Sequence, residues 1–200
     1  MTTIHLDDDI RATLRKLRLS TFADTFFALA SADEANTELP EEIFLKAVEE
    51  TAHKRRAQNI TKAITQAKFR YPGATLAELI NVEERGLNLR QLKRIAATPW
   101  RENPGNVHLL APTGAGKTYI ACAIGVAACQ AEYSVAYYRL DQLVDELAAF
   151  PPTDERYVTK MRRLQNTDVL ILDDFLTIGI NQRGQEDLTK IIFDRDGRLP

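Results

Sequence analysis

The sequence predicts an α/β fold with a parallel sheet that carries helices on both faces, preceded by an all-helical segment. Three short apolar runs, at 107–111, 134–138 and 168–173, alternate with stretches of helical periodicity, as in strands joined by crossover helices. Residues 169–172 are apolar without interruption, which is typical of a strand buried on both faces. Before residue 70, apolar side chains recur every three or four positions, the spacing of one helix face.

The all-helical segment is predicted to hold three helices. The first follows three aspartates at 7–9, which favour a helix N-terminus. The second begins near Ser20, and the third begins at Pro40, where proline fits the first turn, and continues to about Phe69. We expect three regions: a helical domain at 1–72 that binds DNA or a partner, a connector with short helices at 73–106, and a core at 107–200.

The end of the third predicted helix is strongly basic. Residues 53–70 contain six Lys or Arg side chains and no acidic one. Clustered basic side chains gain affinity for a nucleic-acid backbone by releasing its counterions, although a solvated helix face accounts for the pattern equally well. The candidate DNA-contacting residues are Lys54, Arg55, Arg56, Lys62, Lys68 and Arg70.

A loop with two glycines follows the first predicted strand and leads into an apolar helical stretch at 119–130. In such a loop the backbone N–H groups surround phosphates, the lysine reaches the β- and γ-phosphates, and the threonine hydroxyl ligates Mg²⁺. The strict pattern has glycine where this chain has Ala111, which is a minimal departure. The predicted ATP-binding (Walker A) residues are Ala111, Pro112, Thr113, Gly114, Ala115, Gly116, Lys117 and Thr118, with Lys117 also catalytic and Thr118 also a metal ligand.

Two aspartates end the apolar run at 169–172 and form a candidate Walker B motif. Asp173 is expected to hold Mg²⁺ through water at the end of the strand, and Asp174 to orient the attacking water. An isolated Asp-Asp pair is more often a turn or a cap. Its position after a buried strand, about 55 residues beyond the phosphate loop, favours the catalytic interpretation.

Composition limits the remaining possibilities. The net charge of −2 gives no global sign of nucleic-acid binding, and the only two cysteines, Cys122 and Cys129, are expected to be reduced and buried. No apolar run reaches the roughly 18 residues of a membrane span, so we predict a cytoplasmic protein without a membrane partner. The single tryptophan, Trp100, lies in a Pro- and Gly-containing loop and is expected to pack rather than stack on a base.

These motifs together resemble the IstB-like ATP-binding proteins, helper ATPases of insertion-sequence transposases that are related to the DnaC-type helicase loaders. The resemblance rests on residues 106–119, 138–143 and 168–175, and on the basic, aromatic segment at 67–72. It implies an AAA+ ATPase that binds ATP and Mg²⁺, assembles as a homo-oligomer on DNA, and activates or targets a transposase.

The resemblance also implies a larger sheet than the sequence predicts. AAA+ cores have five parallel strands, with one strand between those that carry the two Walker motifs. Only three strand signals are present, so we expect a core that is incomplete at its C-terminal side. On that basis the chain is expected to be marginally stable and to hydrolyse ATP poorly.

Three other functions remain open at this point. A helicase loader in DNA replication would share both Walker motifs. A nucleotide-dependent DNA-binding scaffold without hydrolysis would fit an incomplete core. A small-molecule P-loop kinase is disfavoured, because the chain has no recognisable lid or substrate-binding acidic motif.

Overall fold

The computed structural model describes residues 8–32, 39–80, 86–175 and 179–199. The chain divides into two compact units, Met1–Asn59 and Ile60–Pro200. The helices are α1 (Asp8–Lys16), α2 (Ser20–Ala30), α3 (Pro40–Ala67), α4 (Leu89–Ala96), α5 (Lys117–Gln130), α6 (Leu140–Ala148), α7 (Glu155–Asn166) and α8 (Gln182–Arg195), with a 3₁₀ turn at Leu76–Glu78; the strands are β1 (Val135–Arg139) and β2 (Val169–Asp173).

The first unit is helical, as the periodicity predicts. Its described part contains α1, α2 and most of α3, which continues into the second unit. Aromatic rings join α2 to α3: the ring of Phe44 lies 5.4 Å from that of Phe22 and 6.5 Å from that of Phe26. The Lys54 ammonium also donates to the Thr25 hydroxyl over 3.1 Å. Ring packing and this hydrogen bond therefore hold the two helices together.

The second unit contains a parallel sheet between two helical layers. In the described residues the sheet has two strands, β1 and β2, with a register from Val135 opposite Val169 to Arg139 opposite Asp173. One face packs against α5, and the other packs against α6, α7 and α8 through Tyr138, Leu170 and Leu172. The predicted α/β fold with helices on both faces is confirmed.

The helix α5 approaches the sheet closely because its inner face is built from small residues. A Cβ added at Gly125 would lie 2.5 Å from Phe69 Cε1 and 2.7 Å from Ile171 Cδ1. Cys122 and Cys129 on the same helix are free and buried, as predicted. This close approach places Phe69, just after α3, in the core beside α5.

The predicted strand at 107–111 is wrong. The structure has no strand there, and Leu110 is 91% and Val107 42% exposed. An extended segment becomes a strand only when a neighbour satisfies its backbone groups, and among the described residues β2 pairs with β1 alone. Trp100, a few residues earlier, is buried at 4% exposure, in agreement with its expected packing role.

Asp168 joins the starts of the two strands. Its carboxylate accepts two 2.7 Å hydrogen bonds from Arg101 and further bonds from the Ser134 backbone N–H at 2.8 Å and hydroxyl at 2.7 Å. Burial opposes ionisation of Asp168, but the bonds from Arg101 and Ser134 outweigh it and lower its pKa to about 2. The pairing of β1 with β2 is thus anchored at the end opposite Asp173.

No helix in the described ranges is both long enough and apolar enough to cross a membrane. The longest of them, α3, has 28 residues but carries charged side chains along its length.

Candidate nucleotide and metal site

The loop at 111–116 has the backbone of a phosphate-binding loop. Gly114 and Gly116 have φ values of +82° and +84°, a region that side chains with a Cβ rarely adopt. The Ala115 N–H donates to the Pro112 carbonyl over 3.2 Å, which closes a turn, and Gly116 precedes the first residue of α5. The N–H groups at the start of α5 therefore face the loop, where an anion is favoured.

Lys117 and Thr118 form the first turn of α5 and are half-buried. The Lys117 ammonium lies across the loop and donates to the carbonyls of Ala111 at 2.7 Å and Pro112 at 3.0 Å. This conformation places the positive charge of Lys117 at the loop itself, where phosphate oxygens would compete for the same donor.

Asp173 is the last residue of β2 and is only 8% exposed. Asp173 lies on the same face of β2 as Val169 and Ile171, and those two side chains pack in the hydrophobic cluster that contains Cys122 of α5. Thr118 precedes Cys122 by four residues and shares its side of α5. Asp173 therefore lies on the face of β2 that packs against α5, and Thr118 lies on the side of α5 that packs against the sheet.

Asp174 follows directly but lies in different surroundings. It has a φ of +51° and a side chain that is 43% exposed, and Arg139 Nε approaches its Oδ2 to 3.4 Å. Arg139 also donates to both carboxylate oxygens of Asp141, over 3.2 and 2.8 Å. Arg139 therefore connects Asp174, the second aspartate of the candidate Walker B motif, to the start of α6.

Sequence reasoning missed two residues that contact these aspartates, Tyr137 and Arg139. The Tyr137 hydroxyl donates to Asp173 Oδ2 over 2.7 Å. Burial raises the pKa of Tyr137, and the hydrogen bond to Asp173 raises it further, so this hydroxyl stays protonated and acts as a donor. Only the strand register could have revealed either residue, since it pairs Arg139 with Asp173 and puts Tyr137 on the same face.

The six candidate DNA-contacting residues are all exposed but do not share one environment. Lys54 pairs with Glu50 at 2.8 Å, and Arg55 donates to the Arg18 carbonyl. Lys68, with a φ of +59°, follows the end of α3, and the Arg70 guanidinium lies 5.8 Å from the Tyr71 ring centroid. Three of the six, Lys54, Arg55 and Arg56, belong to the first unit; the other three, Lys62, Lys68 and Arg70, belong to the second.

The donor set fits Mg²⁺ held together with a nucleotide rather than by protein alone. In the described part of the chain, no group of three or more His, Cys, Asp or Glu side chains could hold a metal. Mg²⁺ in phosphate-loop sites takes one hydroxyl and one carboxylate, and the remaining ligands are phosphate oxygens and water. Thr118 and Asp173 are the candidate protein groups for such an arrangement.

Comparison with known proteins shows the family to which this chain is similar. The sequence profile of the family described as IstB-like ATP binding protein matches residues 12–199. The ATP-binding protein of insertion sequence IS1162 from Pseudomonas fluorescens is 36% identical over 132 residues, 66% of this chain. The ATP-binding protein Rv3427c from an insertion sequence of Mycobacterium tuberculosis is 30% identical over 190 residues, 94% of this chain and 74% of that protein.

The relatives differ in how much of their length is matched. The alignment covers 57% of the IS1162 protein and 46% of the insertion-sequence protein y4pL from Sinorhizobium fredii, which is 36% identical over 115 residues. This chain therefore spans about half the length of these two relatives. The family profile covers nearly the whole chain, and it confirms the resemblance that the motifs indicate: the chain belongs to the IstB-like ATP-binding protein family.

Proposed function

We propose that this chain binds ATP with Mg²⁺ and acts as an ATP-dependent DNA-binding helper of a transposase. The proposal of ATP binding rests on the relative placement of the phosphate-loop motif and the aspartate motif. The positive-φ loop at 111–116 leads into α5, and α5 packs on the strand that ends at Asp173.

Each site residue has a proposed role. The loop N–H groups bind the phosphates, Lys117 neutralises the β- and γ-phosphates, and Thr118 and Asp173 hold Mg²⁺. Mg²⁺, when bound, supplies charge neutralisation of the phosphate oxygens. Asp174, whose side chain is 43% exposed and therefore accessible to solvent, orients the attacking water for hydrolysis.

The DNA and transposase parts of the proposal rest on charged side chains and on the names of the relatives. The exposed basic side chains between Lys54 and Arg70 suit backbone contacts that do not depend on base sequence. The names of the relatives place those proteins in insertion sequences, which favours a transposase over a replicative helicase as the partner. We also propose a cytoplasmic location and ATP-dependent assembly of several copies on DNA.

The test compares Lys117→Ala with a matched control, Lys190→Ala. Lys190 is an exposed lysine on α8 that pairs only weakly, at 3.5 Å, with Asp187. A fluorescent ATP analogue should bind the original chain and the control equally, and Lys117→Ala at least about tenfold more weakly, since a charge-assisted phosphate contact is removed. Equal binding by all three proteins would contradict the nucleotide site.

Duplex DNA retention separates the proposed helper from a kinase. With ATP and Mg²⁺, the chain should retain DNA more strongly than with no nucleotide, and Lys117→Ala should lose this difference. Retention should fall steeply with salt, because backbone contacts release counterions. A P-loop kinase should show no ATP-dependent retention, and this result would overturn the DNA part of the proposal while leaving ATP binding intact.

One observation favours a second function, nucleotide-dependent DNA binding with little or no hydrolysis. The segment at 107–111, which leads into the phosphate loop, has no sheet partner among the described residues, and Leu110 is almost fully exposed. A phosphate loop whose preceding segment has no sheet partner is positioned less accurately for contacts with the transition state. Such contacts tolerate little displacement. Steady-state phosphate release decides: rapid release excludes this second function, whereas tight ATP binding without release supports it.

A further inference from the structure

The most specific polar contact at the nucleotide site involves a residue that the proposed mechanism does not use. The Tyr137 hydroxyl donates to Asp173 Oδ2 over 2.7 Å, and the two residues are only 7% and 8% exposed. A buried tyrosine hydroxyl needs a polar partner, but the backbone carbonyls of a sheet are more common partners than an acidic side chain. This contact joins β1 to the last residue of β2.

We propose that Tyr137 is a positioning residue that orients the Asp173 carboxylate toward Mg²⁺. This inference rests on the proposed ATP–Mg²⁺ site. The hydrogen bond holds Oδ2 and restricts rotation of the carboxylate, so that Oδ1 would remain available as the acceptor through which Asp173 holds the ion. Partners of this kind behind a metal-binding carboxylate set its orientation, and their loss typically costs 10–100-fold in metal affinity.

The register explains how the contact arises. Tyr137 is opposite Ile171, and Asp173 lies two residues further along β2 on the same face. A tyrosine side chain is long enough to reach this diagonal neighbour across the strand pair. A phenylalanine would fill the same space without reaching the carboxylate.

The Tyr137 ring is itself held in place. Its centroid lies 6.2 Å from that of Phe69, and Phe69 is pressed against α5 so closely that a Cβ on Gly125 would overlap its ring. The Tyr137 hydroxyl therefore cannot move away from Asp173 unless the side chains packed between α5 and the sheet also move. A donor fixed in this way can orient a carboxylate before the metal arrives.

Tyr157 supplies a matched control elsewhere in the same unit. Its hydroxyl donates to Asp187 Oδ1 over 2.6 Å, and both residues are buried, at 6% and 3% exposure. This second Tyr–Asp pair joins α7 to α8 on the opposite face of the sheet. Tyr157→Phe therefore removes an equivalent buried hydrogen bond without touching the nucleotide side.

The experiment measures the Mg²⁺ concentration that half-saturates the enhancement of ATP-analogue binding. In Tyr137→Phe this midpoint should rise about tenfold or more, whereas binding in EDTA should stay unchanged because the phosphate loop is intact. Tyr157→Phe should keep the original midpoint, although both variants lose thermal stability to a similar extent. Circular dichroism establishes that each variant is folded.

A double variant tests whether the two residues act as one unit. Asp173→Asn should raise the midpoint by itself, and adding Tyr137→Phe should then raise it little further. Additive increases would show that Tyr137 does not act through Asp173 and would overturn the inference.

The outcomes separate this inference from the proposed function. If the original chain binds no ATP analogue, both fail. If it binds the analogue with a clear Mg²⁺ requirement and Tyr137→Phe keeps the same midpoint, the proposed function stands and the role of Tyr137 is wrong. If Tyr157→Phe shifts the midpoint as much as Tyr137→Phe, the effect is general destabilisation, and the role of Tyr137 is again wrong.

Discussion

Asp173 and Asp174 are neighbours in sequence, yet the structure gives them opposite surroundings. Asp173 is buried and accepts a hydrogen bond from Tyr137, whereas the side chain of Asp174 is 43% exposed and faces Arg139. A carboxylate held by a buried donor suits a fixed metal ligand. A carboxylate that is accessible to solvent suits the orientation of water.

Replacing Asp174 by Asn therefore separates binding from hydrolysis. We expect Asp174→Asn to bind the ATP analogue with Mg²⁺ as the original chain does, because the phosphate loop and Asp173 are unchanged. Phosphate release should fall about 10²-fold or more, as for the loss of a general base. Parallel binding and single-turnover measurements check this expectation, and a variant that releases phosphate at the original rate would exclude Asp174 from the reaction.

At the scale of elements, the site depends on how α5 lies against the sheet. Small residues on the inner face of α5 allow Phe69 and Ile171 to approach Gly125 within van der Waals contact. The same packing holds the Tyr137 ring beside Phe69 at 6.2 Å between centroids. A change in the distance between α5 and the sheet should therefore alter both the stability of the fold and the proposed Mg²⁺ site.

Gly125→Ala tests this close packing. The added Cβ would lie 2.5 Å from the Phe69 ring, and such overpacking typically costs about 1–3 kcal/mol in the free energy of unfolding. Gly73→Ala is the matched control, since a Cβ there meets nothing within 4 Å and should change stability by less than about 0.5 kcal/mol. Denaturant titrations of both variants measure the difference, and equal stabilities would argue against the observed packing of α5.

Asp168 links the strand starts in a way that depends on pH. Its folded-state pKa is about 2, against an ordinary value of 3.8, so its stabilising contribution is complete above about pH 4 and is lost as the pH falls toward 2. Asp168→Asn should reduce the free energy of unfolding by roughly 1–2 kcal/mol near neutral pH. The difference from the original chain should shrink as the pH falls through this window.

Asp154 serves as the control for that prediction. Its pKa is also lowered to about 2, by Arg156, but the Arg156 side chain in this pair is 68% exposed, and ion pairs exposed to solvent contribute little. Asp154→Asn should therefore change stability less than Asp168→Asn. Chemical denaturation between pH 2 and 7 measures all three proteins, and a pH-independent difference for Asp168→Asn would contradict the proposed anchoring.

At the scale of the whole molecule, the chain combines a helical unit with an α/β unit that carries the proposed nucleotide site. The segment at 107–111, which precedes the phosphate loop, has no sheet partner among the described residues, and Leu110 within it is almost fully exposed. Ligand binding to the folded state should then contribute a large share of the stability of this unit.

Mg²⁺ and ATP should accordingly raise the thermal unfolding midpoint. At about 100 times the dissociation constant, a bound ligand adds roughly 2.7 kcal/mol to the stability of the folded state, which corresponds to a shift of several degrees for a domain of this size. Lys117→Ala should shift by at most about half as much at the same concentrations, because binding that is about tenfold weaker or more leaves the ligand at no more than about ten times the dissociation constant. Calorimetric scans with and without nucleotide test this, and an equal shift in Lys117→Ala would place the nucleotide elsewhere.

Much of this protein is determined by its sequence because the relevant signals are local. Helical periodicity, Pro40 at the start of α3, the two glycines of the phosphate loop and the apolar run of β2 each act over a few residues. They are sufficient to predict the α/β fold, most helices and the two nucleotide motifs.

Tertiary structure decides the contacts that depend on residues distant in sequence. The predicted strand at 107–111 failed because a strand requires a neighbour, and no local pattern reports whether one is present. The bonds from Tyr137 to Asp173 and from Arg139 to Asp174 arise from the register of β1 against β2. The sequence alone therefore determined which residues are candidates to bind ATP and Mg²⁺, while the packing of α5 and the strand register decided how those residues are held.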